Sequence, residues 1–447
     1  MSPPRVDGLP PPRRYWALAG LWIGMGMSVL DSSVTNVALP TIAKDLASNP
    51  ADTVWVVTAY QIAIVMSLLP AAALGERYGY RQIYSGGLLL FIAMSLACAL
   101  APNLTFLAAA RFVQGLGAAG MMGVNGALIR YVWPKAMLGR GIGYNAMVIA
   151  CTAAAGPGLA GLILAYARWP WLFMINIPLG LVALLLSVRF APRPATETDR
   201  FDVVEAVLNA GMFATLFLAA STISHEGGWE SGAALGALGA VLAVTVVRRA
   251  RLSKRPLLPL DLMRLAPLRY AYGASIAAFA AQMSLLVSLP FLLEHGRALQ
   301  AAQVGMIVLP MPITLGLVSP WAGRFADAGW AGWMSAVGLM LLAGMLGLIA
   351  LVIATGAALW VVALAMAISG AGFGLFQAPN NNVMLRTGPL DRAGAAGGML
   401  AQCRLIGQTV GALIASTVLL LSGPLSLGAL LAGAVCALLA ASCAVRR

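Results

Sequence analysis

Three charged side chains lie inside long apolar runs of this sequence: Asp31, Arg111 and Arg404. A charge in nonpolar surroundings costs a few kcal/mol, so each needs a partner or a purpose. Asp31 sits in Val29-Leu30-Asp31-Ser32-Ser33-Val34-Thr35-Asn36 and is the carboxylate placed deepest in an apolar segment. Low dielectric makes a lone carboxylate hold its proton, and a nearby cation reverses the effect. A group balanced in this way takes and releases protons as its surroundings change, so Asp31 is a candidate proton or cation relay. The alternative is a carboxylate that only holds neighbouring helices together. Arg111, in Arg111-Phe112-Val113-Gln114-Gly115-Leu116-Gly117, keeps its proton and must find an acceptor. Asp31, backbone carbonyls and a substrate oxygen all qualify. Beside Asp31 it would tie the proton affinity of the aspartate to their separation; the alternative is a structural helix-to-helix tie. Arg404, with Gln402 and Gln408 nearby, reads as a hydrogen-bond anchor at an inner mouth.

Two charged turns come next. Leu74-Gly75-Glu76-Arg77-Tyr78-Gly79-Tyr80-Arg81 joins one pair of apolar segments, and Gly323-Arg324-Phe325-Ala326-Asp327 closes another about 250 residues later. Their likeness implies duplicated halves, and their expected role is a latch that alternates as the halves rock. The alternative is a pair of solvated turns. Gly156-Pro157-Gly158-Leu159-Ala160-Gly161 is expected to interrupt the fifth segment, because proline removes a backbone bond and glycine admits close helix approach. Gly407 and Gly411 form a small-xxx-small face on the thirteenth.

Other chemistry is excluded by what is missing. Lys44, Lys135 and Lys254 are the lysines, and none ends a GxxxxGK[ST] phosphate loop. The two histidines, His225 and His295, form no HExxH pair and are placed in outer loops. The five cysteines, Cys98, Cys151, Cys403, Cys436 and Cys443, lie in apolar segments without a CxxC pair and read as packing residues. An enzyme is not expected, nor is a cofactor; an ion gradient is the remaining source of work.

These residues must be positioned by elements suited to lipid. Sixty per cent of the 447 residues are hydrophobic and 10% charged, too apolar for one soluble core. A spanning helix needs about 20 mostly apolar residues, and lipid offers no partner to a bare peptide group, so helices follow. Fourteen such segments are expected, at 15–37, 53–74, 83–101, 105–128, 141–165, 171–189, 203–223, 232–248, 270–293, 303–321, 333–354, 357–378, 396–420 and 425–445. The run after Met1–Arg14 has no small-residue cleavage site and reads as a retained helix. With the N-terminus inside, inner loops and ends collect 23 of the 28 Lys and Arg residues, and the outer loops only Lys44, Arg168 and Arg297. That bias places both termini in the cytoplasm. It also explains the net charge of +13 without nucleic acid. The longer joints at Ala191–Asp202 and Arg248–Arg269 divide the chain into 1–190, a six-helix bundle; 191–264, a two-helix insert with basic linkers; and 265–447, a second six-helix bundle.

The motifs, taken in order, resemble the major facilitator superfamily, specifically its fourteen-helix drug:proton antiporter branch of multidrug and quaternary-ammonium exporters. Leu30 to Pro40 looks like the helix-one signature of that branch, and Trp55 and Tyr60 match its helix-two pattern. Leu74 to Arg81 resembles the loop motif, Arg111 to Gly117 the helix-four motif, and Gly156 to Gly161 the helix-five antiporter motif. Trp169, Trp171, Phe173, Asn176, Pro178 and Gly180 match the start of helix six, and the resemblance runs from about residue 15 to about 420. It implies an all-α membrane protein: two six-helix bundles around a central cavity, two inserted helices, rocker-switch alternating access, and exchange of substrate against protons. By the resemblance Asp31 is the proton-coupling residue, Arg111 its partner, and Glu76, Arg77 and Arg81, with Gly79, the gating latch. Departures are Glu76 for the usual aspartate, Ala72 and Thr152 for glycines, Ala160 for a later glycine, and Tyr80 for a basic residue.

The expected activity is proton-driven export of small hydrophobic or cationic organic compounds from a bacterial inner membrane. The second bundle lacks the extra cavity carboxylate that the resembled branch often carries in its dication pumps, which by that resemblance favours monovalent, neutral or amphiphilic substrates. A dedicated metabolite, siderophore or lipid transporter of the same fold is the alternative; a non-transporting membrane sensor is a different class, which would bind ligand without net flux. Depth alone gives a candidate substrate wall of Met27, Tyr60, Asn145, Phe279, Gln282, Phe376, Gln377 and Asn380; the motifs and charged turns above add Gly156, Pro157, Arg324, Asp327 and Arg404 to the gating set. The expected partners are substrate, protons and the bilayer, with the chain a monomer and no metal bound.

Overall fold

The computed structural model describes residues 7–194, 196, 201–223, 228–253, 255–423 and 425–446. Of the residues counted or named above, Arg5, Arg200, His225, Lys254 and Arg447 lie outside these residues. The described residues form helices and no strand, and fourteen helices are long and apolar enough to cross a membrane. They are α1 (Arg13–Asp45), α2 (Trp55–Tyr78), α3 (Tyr80–Ala99), α4 (Leu104–Val132), α5 (Leu138–Tyr166), α6 (Asn176–Phe190, led by the single turn Trp171–Met174) and α7 (Val203–Ile223). They continue as α8 (Trp229–Leu252), α9 (Ala266–Arg297), α10 (Pro310–Asp327, led by Ala301–Val308), α11 (Ala331–Thr355), α12 (Leu359–Thr387), α13 (Ala393–Ser422) and α14 (Gly428–Val445). If every helix crosses, an even number leaves both termini on one side, called here the termini side.

Several helices outrun the apolar segments that announce them. Pro40, Pro157 and Pro379 lie inside α1, α5 and α12. Each proline removes one donor, but ending a helix inside lipid would strand several peptide groups, so the helix continues. The expected interruption of the fifth helix at Gly156-Pro157 is therefore corrected: α5 is continuous, and Pro157 is exposed on its surface. Likewise Asn380, Asn381 and Asn382, past the expected end of the twelfth segment, are helical and buried. Ends are set by local chemistry. Asn103, extended at φ −155°, accepts a hydrogen bond from the Phe106 amide and caps α4. Gly79 joins α2 to α3 in a single residue at φ +100°, a conformation that costs little only without a Cβ.

Helices α1 to α6 pack around a core that includes Leu21, Leu68, Tyr84, Phe91 and Leu128. Helices α9 to α14 pack around a second one with Leu285, Leu339, Leu346, Phe373 and Phe376. Between them in sequence, α7 packs on α2 and α13 and α8 packs on α7, with Met212, Phe213 and Val246 in one apolar cluster with Val65, Leu69 and Leu405. Outer faces expose Leu185, Val241, Leu317 and Leu351, a surface fit for lipid and unfit for water. Where the bundles meet, small residues let backbones touch. A Cβ added to Gly126 of α4 would lie 2.9 Å from the Gly397 Cα of α13.

Candidate functional site

Helix α1 carries Asp31 into the middle of the first bundle, where both it and Arg111 of α4 are wholly buried. Arg111 Nη1 donates to Asp31 Oδ2 in a short ion pair. The same nitrogen donates to Gln114 Oε1 at 2.7 Å, and Arg111 Nε donates to the Val56 carbonyl at 3.1 Å. The guanidinium carbon stands 4.1 Å from the Tyr60 ring centroid and 5.6 Å from that of Phe173, so aromatic faces cover the cation. Asp31 Oδ1 accepts from Asn176 Nδ2 at 2.8 Å and from Gln114 Nε2 at 3.2 Å. Ser95 Oγ accepts from Gln114 Nε2 at 2.8 Å, which ties α3 into the cluster. A buried ion pair is stable only when such bonds satisfy its remaining lone pairs. Here five helices, α1, α2, α3, α4 and α6, contribute to that end.

This cluster communicates with the bundle interface through α1. Gly156 of α5 packs directly on Ser33, two residues from Asp31, and Gly26 packs on Thr152. Helix α5 is also the helix that crosses to the second bundle. At its termini-side end the Gly139 amide donates to Asp327 Oδ1 at 2.7 Å and the Arg140 amide to Asp327 Oδ2 at 3.1 Å. The last residue of α10 thus caps the first turn of α5, whose free N–H groups and dipole favour an anion.

The other half repeats the device. Glu76, near the end of α2, accepts from the Ala395 amide at 2.8 Å and from Arg392 Nη1 at 3.2 Å, so it caps the first turn of α13. The Tyr80 hydroxyl accepts from the Gly394 amide at 3.0 Å. Arg392 also donates to both Asp261 oxygens at 3.1 Å and to the Pro256 carbonyl at 2.8 Å, which fastens the α8–α9 linker to this latch. Arg130 and Tyr131, at the end of α4, donate to the carbonyls of Gly388 and Leu390. Together with the Asp327 cap, these bonds join the two bundles on the termini side.

The expected site residues divide accordingly. Asp31 and Arg111 meet, as do the two latch carboxylates and their opposite helix starts. Several placements need correction. Arg81 donates to the Val188 carbonyl at 2.8 Å and ties α3 to α6 inside one bundle, so it is no part of the latch. Arg324 is exposed over the Trp321 ring and does not pair with Asp327. Arg77 lies over the Tyr78 ring at the edge of a recess behind Glu76. Among the expected cavity residues, Tyr60 covers Arg111 and shares a 2.9 Å hydrogen bond with Ser28. Met27 packs on Gly180 of α6. Phe279 and Phe376 both stack edge-on against Phe373 in the second core. Asn380 donates to the Ala271 carbonyl at 3.1 Å, a tie between α12 and α9.

A small cavity of about 50 Å³ does lie between the bundles, beside the Gly126–Gly397 contact, and both glycines line it. Asn145 lines it, whereas Gln282 and Gln377 do not. Its other polar lining is Asn125, Asn381 and Arg404. Arg404 is thus a cavity residue and not a hydrogen-bonded anchor: its Nε is buried without a partner, and among the described residues nothing pairs with it. Gln114, Ser95, Asn125, Asn176, Asn381 and Arg392 are the residues at these candidate sites that motif reading gives no role. Gln114 and Asn176 stood inside motifs already in view.

Comparison with known proteins fits this architecture. The uncharacterized transporter YebQ of Escherichia coli (strain K12) is 43% identical over 423 residues, covering 93% of this chain and 91% of its own. Multidrug resistance protein Stp of Mycobacterium tuberculosis (strain CDC 1551 / Oshkosh) is 30% identical, over 89% of this chain and 74% of its own. The crystal structure of the human organic anion transporter MFSD10 (TETRAN) superposes with a TM-score of 0.71 at 15% identity, over 98% of this chain and 100% of that one, a likeness of fold. The described residues hold fourteen helices long and apolar enough to span, residues 21–412 match the family model described as Major Facilitator Superfamily, and the chain belongs to that superfamily of membrane transporters.

Proposed function

We propose that this protein is a proton-coupled exporter of small organic amphiphiles, working by alternating access in a bacterial inner membrane with its termini side in the cytoplasm. The reading rests above all on the wholly buried Asp31–Arg111 pair and the neutral cradle around it. A structural tie would be served as well by apolar packing of similar volume. A carboxylate held beside a fixed cation, with both oxygens engaged, is instead a group whose proton occupancy changes when the helices shift.

With the latches closed, the proton reaches Asp31 from the side opposite the termini. Protonation dissolves the ion pair, and Arg111 retains only Gln114, Val56 and the aromatic faces. Helix α1 is then free to move against α5 at the Gly26–Thr152 and Gly156–Ser33 contacts, and α5 carries the change to the Asp327 cap. The latches part, the proton leaves to the cytoplasm, substrate enters from there, and the re-formed pair draws the bundles closed again. Energy enters only because proton and substrate favour different states. Multidrug resistance among relatives supports export of this class.

The test uses proteoliposomes loaded with a pH-sensitive dye and no imposed gradient. Addition of a transported organic dye must move protons in the opposite sense in wild type and not in Asp31→Asn. Dye movement with no proton movement in wild type contradicts the proposal.

A further inference from the structure

The cavity between the bundles carries its own chemical preference. One wall is α1, α4 and α5, with Met25, Met122, Asn125 and Asn145; the other is α12 and α13, with Asn381 and Arg404. Its lining contains no carboxylate. Asp31, the acidic group of the proposed cycle, is wholly buried in the first bundle and already paired with Arg111, so it lends the cavity no negative charge. Arg404 differs from the buried cations Arg111 and Arg392 in having no carboxylate partner among the described residues. Arg111 has a carboxylate and Arg392 has two. Arg404 has a buried Nε with no hydrogen-bond partner, and among the described residues no ion pair reaches it. An unpaired guanidinium within a membrane span is costly and points to a ligand or ion pathway, and a guanidinium is shaped to hold a carboxylate or similar oxyanion by paired N–H bonds.

We propose that the transported substrates are organic anions: small amphiphiles whose carboxylate, sulfonate or phenolate oxygen binds Arg404, while the apolar body lies against Met25 and Met122. This rests on the transporter reading above and narrows its substrate class. Asn145 and Asn381 add amide donors beside the guanidinium, and the Asn125 carbonyl oxygen, buried without a donor, is left for a hydroxyl or N–H on the substrate. Thioether side chains adapt to many apolar shapes, so the anionic group fixes orientation and the body is free to vary. The cavity volume of about 50 Å³ belongs to the latched state. A drug-sized molecule needs several hundred Å³, so the site widens when the bundles part. Charge counting follows directly: export of a monoanion against one proton moves two charges the same way, whereas a monocation against one proton moves none.

The test compares two dyes that share a xanthene core, fluorescein as the anion and rhodamine 123 as the cation. Binding to the purified full-length protein is read by fluorescence anisotropy, and flux in proteoliposomes under a pH gradient, with and without a valinomycin-set potential. Wild type is expected to bind and move fluorescein in preference to rhodamine 123, with fluorescein flux responding to the potential. Arg404→Gln is expected to weaken fluorescein binding by at least about tenfold, the loss of a charge-assisted contact. Arg404→Lys keeps the charge but loses the paired N–H geometry and is expected to bind between wild type and Arg404→Gln, and Asn381→Asp shifts preference toward rhodamine. Fluorescein binding that is absent, or unchanged in Arg404→Gln, overturns the proposal. So does preference of wild type for rhodamine, a result that needs no variant to fold. Binding that depends on Arg404 with no flux of either dye upholds the anion site and overturns the transporter reading instead.

Discussion

Glu76→Gln isolates one of the two termini-side latches. In the closed state Glu76 accepts from the Ala395 amide at 2.8 Å and from Arg392 at 3.2 Å, and the carboxylate is 9% exposed. Glutamine keeps the size and one acceptor oxygen but loses the charge. Charge-assisted bonds are worth about 1.5–3 kcal/mol against about 1 for neutral ones. Arg392 keeps its bidentate pairing with Asp261, so it is not left as a bare buried cation. Two weakened bonds therefore cost the closed state about 2 kcal/mol, roughly a 30-fold shift toward opening. The assay is double electron–electron resonance between spin labels at Tyr78 of α2 and Thr387 of α12, both exposed and on opposite bundles, in a background without the five native cysteines. Wild type is expected to give one short distance. Glu76→Gln should add a longer component, and Glu76→Gln combined with Asp327→Asn should make it dominant. A distribution identical to wild type in the double variant would refute the latch assignment.

The remaining expectations are smaller in scale. Asn176→Ala removes a 2.8 Å donor from Asp31 and should lower thermal stability by about 1–3 kcal/mol, measured by unfolding in detergent. Tyr60→Phe loses only the Ser28 bond and keeps its face over Arg111, so it should cost about 1 kcal/mol or less; Tyr60→Leu should cost more, by unfolding and by transport rate. Gly397→Leu inserts a side chain where α13 touches α4, so it should hold the termini side open in the same distance measurement. Arg81→Ala should reduce stability by about 1 kcal/mol and leave the label distances unchanged, because its Val188 bond lies within one bundle.

How much of this was readable beforehand follows from what a linear chain can carry. Asp31 and Arg111 stood out because a charge in an apolar run is rare. Their partners Ser95, Gln114 and Asn176 did not, because neutral polar residues are ordinary in such helices and their meeting depends on how five helices pack. Glu76 and Asp327 were visible as charged turns. Their acceptor role was not, because the groups they bind are backbone amides of Ala395, Gly139 and Arg140, at the starts of helices far away in sequence. Depth in an apolar segment fixes height along a helix but not rotation about it. At about 100° per residue, the wall and the core are neighbours in sequence. Asn380 ties α12 to α9 while Asn381, one residue on, faces the cavity. Helix ends at Pro40 and Pro379 were missed because proline is a stop signal in water and a tolerated bend in lipid.

Asp31 as the coupling residue is the centre of the account, and counterflow separates coupling from movement. Proteoliposomes are filled with a dye that wild type accumulates, and uphill uptake under a pH gradient is compared with gradient-free exchange of labelled for unlabelled dye. Asp31→Asn is predicted to abolish uphill uptake and to retain exchange. Uphill uptake that survives in Asp31→Asn at the wild-type level would contradict the account.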